Sequence, residues 1–534
     1  MLNQVMQAFG GIGLFLLGMW LMTEGLRLAA GSALERLLAS WTRSRLRGLV
    51  SGMTITALVQ SSSAVTLATL GFVNAGLLEF RRAIWVVFGS NVGTTFTAWL
   101  VALVGIKLHV DILAYPLIGI GALLRIFASG VRLQHLGMAL AGFGLFFLGI
   151  DALGSAFEAI GEQVRFAQGV GNVVLMVLIG VLLTTAMQSS SAAIALVLTA
   201  LAGGVVGLDE AAAGVIGANI GTTSTALLGT LGATAEARRL AFAHVAFNLM
   251  TGVAALVILP LFLWLITEVV GRPDDPAITL AAFHSAFNLL GVLLIWPFEP
   301  YLSRWLQLRF QRRQSSVTEP RYLDRNVAAV PRLAERALVM ELRGMLAEYP
   351  GLLQEAASTG REQGAASAIR EQRLQQMGDF LTDLSRSALG EELSGELARL
   401  WRAQHNLLNI EESLTELARV LGELENADAQ SLVRALRDWL QELARVLRDV
   451  EREAPDEVHF DRLRDAYEHA KMQVLNAELA ATVSRERMDE ALQGCSHSRR
   501  VAEQWFRAWT VLAGLKFPQA DAGKTTGTQP ESGA

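Results

Sequence analysis

The sequence predicts an all-α protein in which a polytopic membrane domain is followed by a soluble helical bundle. Three observations lead to this prediction. Long apolar runs fill the chain up to about residue 310, and runs of about 18 or more apolar residues are typical of membrane-spanning helices. Short polar motifs recur inside these runs in one order. Beyond about residue 311 the chain is rich in Arg, Glu, Gln and Leu, which indicates soluble helices.

The apolar part of the chain contains an internal duplication. "QSSSA" occurs at residues 60–64 and again at 188–192, which is an offset of 128 residues. "NVGTTFTA" begins at residue 91 and matches "NIGTTSTA", which begins at residue 219 with the same offset. A third pair, "GIGLFLLGM" from residue 11 and "GFGLFFLGI" from residue 142, keeps the order. Three matched blocks in one order predict two related halves.

Each QSSS motif interrupts an apolar run that is long for a single crossing. Residues 48–78 carry no charge and would form a straight helix of about 46 Å, whereas the hydrocarbon core is about 30 Å thick. A tilted helix could absorb part of this length, and the alternative is a re-entrant hairpin that is broken at the motif. Loop charges favour the hairpin, because the flanks of the first motif are both basic and those of the second are not. The flanking residues are Arg27, Arg36, Arg43, Arg45, Arg47, Arg81 and Arg82 for the first motif, and Glu158, Glu162, Arg165, Asp209 and Glu210 for the second.

The loop charges also predict that the two halves are inverted relative to each other. In the first half, crossings at about 8–26, 84–106 and 112–127 accompany one hairpin, and this odd number of crossings inverts the second half. The N-terminus is then outside and the C-terminal half is cytoplasmic. Inverted repeats with broken helices are typical of secondary transporters. The predicted boundaries are about 1–132 for repeat 1, about 133–267 for repeat 2, about 279–303 for a final span and 1–312 for the whole membrane domain.

The second part of the chain predicts an antiparallel helical bundle over residues 313–515. One of its helices carries leucines three and four residues apart, which form a single apolar stripe. Residues 516–534 contain too few apolar side chains to fold, so we expect this segment to be a disordered tail. The net charge of −5 argues against nucleic acid as a partner, and the single Cys495 excludes an intramolecular disulfide. The leucines of the stripe are Leu432, Leu436, Leu440, Leu443 and Leu447.

The two QSSS motifs are the first candidate site. If a helix starts at the serines of each motif, its exposed backbone N–H groups and the serine hydroxyls can bind a small anion without any arginine. The broken helices also offer carbonyl, Gln and Ser oxygens, which suit Na⁺. Small residues that merely pack helices together are the alternative explanation. The residues concerned are Gln60, Ser61, Ser62, Ser63, Gln188, Ser189, Ser190 and Ser191.

Two further repeated motifs add neutral oxygens. The NxGTT blocks contain Asn and Thr next to a glycine that permits close helix approach, so a ligand site and helix packing both explain them. "HVAFNL" from His244 and "HSAFNL" from His284 place His and Asn four residues apart on one helical face. We interpret this pair as structural clamps in preference to ligands. The polar residues of the NxGTT blocks are Asn91, Thr94, Thr95, Asn219, Thr222 and Thr223.

With these motifs, residues 1–312 resemble the type II sodium–phosphate cotransporter family in its bacterial form. The resemblance implies a multi-pass protein of the bacterial inner membrane that binds inorganic phosphate and Na⁺, needs no other cofactor and is not an enzyme. It places phosphate at the eight residues of the QSSS motifs. The sodium ligands it implies are Gln60, Ser63, Asn91, Thr94, Thr95, Gln188, Ser191, Asn219, Thr222 and Thr223.

The C-terminal part resembles the PhoU-like helical domain that many bacterial members carry. This resemblance implies a regulatory role, and a bundle that only aids assembly is the alternative. PhoU proteins have acidic metal-binding helices, and the acidic candidates here are Asp379, Asp383, Glu411 and Glu412. We assign no transition-metal site to them.

The leading hypothesis from the sequence is a Na⁺-coupled phosphate symporter that works by alternating access. Two alternatives stay open, a phosphate exporter that relieves excess phosphate and a membrane sensor that does not transport. No nucleophile–base arrangement or phosphate-cradling Walker loop occurs in the sequence, which argues against built-in ATP drive. A homodimer or a regulatory partner bound through the cytoplasmic domain is also expected.

Overall fold

A computed structural model of the protein divides the chain into two compact units, Met1–Arg312 and Arg313–Ala534. Within the residues that the structure describes, all regular elements are helical and no strand occurs. The predicted tail at 516–534 lies outside the described residues. The described ranges are 2–31, 37–38, 41–42, 44–74, 78–105, 110–163, 172–230, 234–265, 268, 275–310, 320, 322–323, 325–328, 331–359, 364–386, 391–426, 429–452, 457–479 and 484–515.

The first unit is a set of apolar helices, six of which are long and apolar enough to cross a membrane. They confirm the predicted polytopic membrane fold. A short π-helical turn, Val101–Gly105, extends the fourth helix. The helices are α1 (Leu2–Ala30), α2 (Arg45–Val59), α3 (Ser62–Asn74), α4 (Phe80–Leu100), α5 (Val110–Phe127), α6 (Val131–Gln163), α7 (Val173–Met187), α8 (Ser190–Ala202), α9 (Leu208–Gly221), α10 (Thr223–Leu228), α11 (Ala235–Trp264) and α12 (Pro276–Arg309).

Both QSSS motifs break a helix. Helix α2 ends at Gln60, whose φ of 58° lies in the left-handed region, and α7 ends at Gln188 with a φ of 50°. Non-glycine residues rarely adopt this conformation, and these two are the only ones to do so in the described part of the chain. The half-helices have 13 to 15 residues, or about 20–23 Å. The break is therefore observed, while a re-entrant path through a membrane stays a prediction.

Close contacts between helices recur in the two halves of this unit. A Cβ atom on Gly52 in α2 would lie 2.0 Å from the carbonyl oxygen of Val86 in α4, and one on Gly180 in α7 would lie 2.1 Å from that of Gly214 in α9. These pairs are related by the offset of 128 residues. Only glycine allows the backbones to approach this closely. The duplication in the sequence thus extends to helix packing; the inversion of one half relative to the other stays a prediction.

The second unit consists of amphipathic helices. Its predicted leucine stripe lies on one helix, and all five leucines are fully buried, which confirms the stripe as the core face. Trp505 and Tyr349 are among the largest fully buried side chains of the same unit. The helices are α13 (Arg325–Ala328), α14 (Pro331–Leu346), α15 (Tyr349–Thr359), α16 (Gly364–Ser385), α17 (Glu391–Asn426), α18 (Gln430–Arg452), α19 (Glu457–Leu479) and α20 (Arg485–Ala513).

Candidate functional site

The first QSSS motif lies where α2 ends and α3 begins. The side-chain amide of Gln60 donates to the carbonyl oxygen of Ala57 at 2.5 Å, and its Oε1 accepts from the hydroxyl of Thr97 at 2.8 Å. The hydroxyl of Ser61 accepts from the backbone N–H of Ala64 at 3.2 Å. Gln60 is only 5% exposed. Its side chain is therefore fixed at both ends, which positions the amide oxygen towards α4.

The second QSSS motif has the same contacts 128 residues later. Gln188 donates to the carbonyl oxygen of Thr185 at 2.6 Å and accepts from the hydroxyl of Thr225 at 3.2 Å. Ser189 caps α8 by accepting from the N–H of Ala192 at 3.2 Å. The two motifs therefore share one local chemistry. They differ in surroundings, because Gln188 is exposed.

Thr97 connects the two motifs. Its Oγ1 atom lies 2.8 Å from Oε1 of Gln60 and 3.3 Å from Oγ of Ser191. All three side chains are buried. Since Gln60 belongs to the first motif and Ser191 to the second, both motifs contribute to one polar cluster inside the membrane unit.

The start of each second half-helix carries donors and a helix dipole of the kind that favours an anion. The first N–H groups of a helix lack partners within the helix, and the helix dipole places a partial positive charge there. Ser61 and Ser189 satisfy one N–H group each, at Ala64 and Ala192. Ser62 and Ser190 are buried at the helix starts, Ser191 is buried beside Thr97, and Ser63 is half-buried. Neither Arg nor Lys occurs within residues 48–78 or 171–208, so hydroxyl and backbone N–H groups are the donors that these two runs can offer to an anion.

The threonine hydroxyls of the NxGTT blocks donate to backbone carbonyl groups three or four residues earlier in the chain. Thr94 donates to the carbonyl oxygen of Ser90 at 3.0 Å and Thr95 to that of Val92 at 2.7 Å. Thr222 and Thr223 do the same towards Ala218 and Ile220, at 3.2 and 2.8 Å. A hydroxyl that has donated its proton still has oxygen lone pairs. The four threonines can therefore serve as neutral oxygen ligands of a hard cation.

The two asparagines of the NxGTT blocks have different partners. Asn91 donates to the carbonyl oxygen of Val87 on its own helix at 3.0 Å. Asn219 donates to Oδ1 of Asn248 at 2.8 Å and lies 3.5 Å from Oδ1 of Asn288. The HxxFN pair is thus joined to the second NxGTT block, which fits the predicted role as clamps. All four asparagines are buried.

The glycine of each NxGTT block brings its helix against the helix that precedes the QSSS motif. A Cβ on Gly93 would lie 2.7 Å from Cβ of Thr56, and one on Gly221 would lie 2.8 Å from Cβ of Thr184. Any larger residue would separate these helices. The glycines therefore allow the close approach between each NxGTT block and the helix that ends at the glutamine.

Sequence reasoning missed Thr97 and Thr225, although both lie inside the repeated octapeptides. Thr97 is three residues after Thr94 and thus shares its helical face, which is the signal that could have identified it. The contact between Asn219 and the HxxFN asparagines was also missed. No spacing in the sequence indicates it, because the partners are on separate helices.

The acidic candidates of the C-terminal unit do not form a metal site within the described residues. Glu411 is buried, and its carboxylate accepts from Nε of Arg370 at 2.9 Å and from the hydroxyl of Tyr349 at 2.8 Å. Burial, followed by the nearby Glu411 charge, raises the pKa of Tyr349 well above its usual value. Asp379, Asp383 and Glu412 are exposed. Glu411 therefore forms a structural ion pair with Arg370.

The sequence model of the family described as "Na+/Pi-cotransporter" matches the chain twice, at residues 14–155 and 160–290. Together the two matches cover about half of the chain, and each contains one QSSS motif. No solved structure matches the chain.

Curated relatives match the membrane unit as well. YqeW of Bacillus subtilis is 34% identical over 300 residues, which is 55% of this chain and 94% of YqeW. The Escherichia coli protein named "Putative inorganic phosphate export protein YjbB" is 30% identical over 337 residues, or 62% of this chain. That match covers 60% of YjbB, less than two thirds of its length. The rabbit "Sodium-dependent phosphate transport protein 2A" is 50% identical over 56 residues, 10% of this chain and 9% of the relative.

Proposed function

Because the chain belongs to the Na⁺/Pi-cotransporter family, we propose that this multi-pass membrane protein is a Na⁺-coupled symporter of inorganic phosphate. The observation that best supports this proposal is the position of Thr97, which contacts Gln60 of one motif and Ser191 of the other. A single substrate at this cluster would touch both halves of the duplication. Contact with both halves is what alternating access requires.

Phosphate would bind at the starts of α3 and α8. The backbone N–H groups there favour negative charge, and the buried hydroxyls of Ser62, Ser190 and Ser191 donate further hydrogen bonds. With no arginine in either apolar run, the anion would be held by neutral donors alone. Such a site keeps a net negative charge after phosphate binds, and Na⁺ would compensate for this charge.

Na⁺ would bind to the oxygen atoms next to this anion site. The proposed ligands are the side chains of both glutamines, Ser63, Ser191 and the Asn and Thr residues of the NxGTT blocks. The threonine protons are already donated to backbone carbonyls, so these oxygens are free to accept a cation. Binding of the cation and anion side by side would couple their movement across the membrane.

We further propose that the half-helices form re-entrant hairpins in an inverted repeat of the bacterial inner membrane, with the N-terminus outside and the C-terminal unit cytoplasmic. The support is the charge pattern around the motifs. Arg81 and Arg82 flank the first motif, and Asp209 and Glu210 occupy the equivalent positions after the second. Basic loops favour the cytoplasmic side. We propose that the C-terminal unit has a PhoU-like regulatory role. It would also provide the contact for a homodimer or for a regulatory partner.

Phosphate flux in proteoliposomes tests the transport proposal. An inward Na⁺ gradient should drive uptake of ³²P-phosphate by the purified protein, and an equal K⁺ gradient should not. Thr97→Val should lower the initial rate about tenfold, because it removes a hydroxyl whose hydrogen bonds contribute about 0.5–1.5 kcal/mol each. Gln134→Ala is the matched control, since Gln134 bonds to Ala128 and Arg125 away from both motifs. Equal uptake in both gradients would contradict sodium coupling.

Export of phosphate is the second candidate, and the match to YjbB favours it. A symporter runs in the direction that its gradients drive, so the same site supports efflux. Cells loaded with phosphate should lose it faster with the protein than without it if export is its role. A purified protein that binds phosphate but gives no flux in either direction would indicate a sensor instead.

A further inference from the structure

The C-terminal unit contains a cavity of about 880 Å³ that the transport proposal does not use. It lies among α17, α18, α19 and α20, and all its lining residues belong to this unit. Sites for small ligands have volumes of about 300–1,000 Å³ and combine an apolar floor with a few polar groups at the edge. The cavity has both features.

The floor of the cavity is aromatic. Trp439, Tyr467 and Phe506 line it, and the rings of Trp439 and Tyr467 meet edge to face with centroids 5.9 Å apart. The indole N–H of Trp439 already donates to the hydroxyl of Ser498 at 2.7 Å. Its polar atom is therefore satisfied. Because Trp439 is only 3% exposed, the partly exposed Tyr467 is the ring that a ligand can reach. A planar ring is the kind of group that stacks on such side chains.

The edge of the cavity is basic. Four arginines line it together with His405, against two carboxylates, Glu468 and Glu503. Arg499 pairs with Glu503 at 2.8 Å and places its guanidinium 5.3 Å from the ring centroid of Tyr467. Arg464 pairs with Asp461 at 2.8 Å. The four arginines are Arg402, Arg464, Arg499 and Arg507.

Arg402 and Arg507 differ from the other two arginines. Both are exposed at the cavity edge, and neither forms an ion pair with another described residue. A guanidinium binds phosphate oxygens in a bidentate manner. Two such groups in a cavity with aromatic lining fit a ligand that carries both phosphate and a planar ring.

We propose that this cavity binds a nucleotide. Inorganic phosphate alone would leave the aromatic floor and most of the volume empty, and a nucleoside would leave the two arginines unpaired. A nucleotide satisfies both ends, because its base stacks on Tyr467 and its phosphates reach Arg402 and Arg507. The chain has no Walker loop, and the proposal concerns binding only. Its existence does not depend on the transport proposal.

Binding of ATP to the full-length protein in detergent tests this proposal. Radiolabelled ATP should bind saturably, adenosine should bind more weakly because it lacks phosphates, and tripolyphosphate should bind more weakly because it lacks the ring. Arg402→Gln and Arg507→Gln should each weaken ATP binding about tenfold. Arg419→Gln is the matched control, because Arg419 lies on the same helix as Arg402, pairs with Glu416 and Glu423, and does not line the cavity.

A second variant tests the contribution of base stacking separately from that of phosphate binding. Tyr467→Leu keeps an apolar side chain but removes the aromatic face, so ATP affinity should fall to that of tripolyphosphate while tripolyphosphate binding stays unchanged. The proposal is overturned if ATP does not saturate the protein at about 1 mM. Equal affinities for ATP and tripolyphosphate in the wild-type protein, or equal effects of the Arg419 and Arg402 variants, would overturn it as well.

Discussion

The two QSSS motifs have the same internal contacts but different environments. In each motif a glutamine ends a helix with positive φ, donates to the carbonyl three residues earlier and accepts from a threonine 37 residues later. Gln60 is 5% exposed, whereas Gln188 is exposed. Local sequence therefore fixes the hydrogen bonds, and the packing of other helices fixes the exposure. Identical chemistry with unequal access is what one conformation of an alternating-access protein would present.

The largest expected effect comes from removing each glutamine side chain without disturbing its backbone. Gln60→Gly and Gln188→Gly keep a residue that adopts positive φ readily but lose the amide oxygen. Both should reduce Na⁺-driven phosphate uptake about 100-fold or more, because the proposed ligand is lost and even a misplacement of such a group by about 1 Å can cost about 100-fold. The loss is measured as phosphate uptake in proteoliposomes, and size-exclusion chromatography checks that each variant is folded. Full activity in both variants would reduce the motifs to packing elements.

The unequal exposure itself can be tested with cysteine labelling. A thiol at Gln188→Cys should react with a maleimide at least about tenfold faster than one at Gln60→Cys, because reactivity requires access. The native Cys495 gives a low background, since it is buried and burial raises its pKa to about 11. Labelling rates of the detergent-purified variants give the ratio. Equal rates at the two positions would show that the difference in burial does not persist in solution.

A smaller effect, on stability, is expected from an ion pair in which only the first half takes part. Arg45 at the start of α2 pairs with the buried Glu299 at 3.0 Å, and the equivalent residue of the second half is Val173. Arg45→Met leaves the buried carboxylate with the Ser303 hydroxyl at 2.6 Å and Arg81 at 3.9 Å, so one charged partner is lost, which should cost about 1–3 kcal/mol. Glu299→Gln leaves Arg45 exposed to water and should cost less. Thermal unfolding of both variants tests this order, and a larger loss for Glu299→Gln would contradict it.

Some of these features could be predicted from the sequence and others could not. The breaks at Gln60 and Gln188 were predictable because each apolar run is long for a single crossing, contains a polar tetrad and has flanking charges that favour a hairpin. The recurrence of helix packing followed from the repeated blocks. The bridge from Thr97 to Ser191 was not predictable, because it joins side chains 94 residues apart on separate helices. The burial of Gln60 depends on neighbouring helices, and periodicity within its own segment carries no information about them.

The smallest expected effect is the difference in stability between two equivalent threonine variants. Thr97→Val leaves Oε1 of the buried Gln60 without its partner, and an unsatisfied buried acceptor costs about 1–3 kcal/mol. Thr225→Val removes the equivalent bond at the exposed Gln188, whose amide oxygen is accessible to other donors, and should cost about 0.5 kcal/mol or less. The melting temperature should therefore fall more for Thr97→Val. If Thr225→Val were equally destabilising, the amide oxygen of Gln188 would be as inaccessible to other donors as that of Gln60. The two motifs would then not differ in exposure.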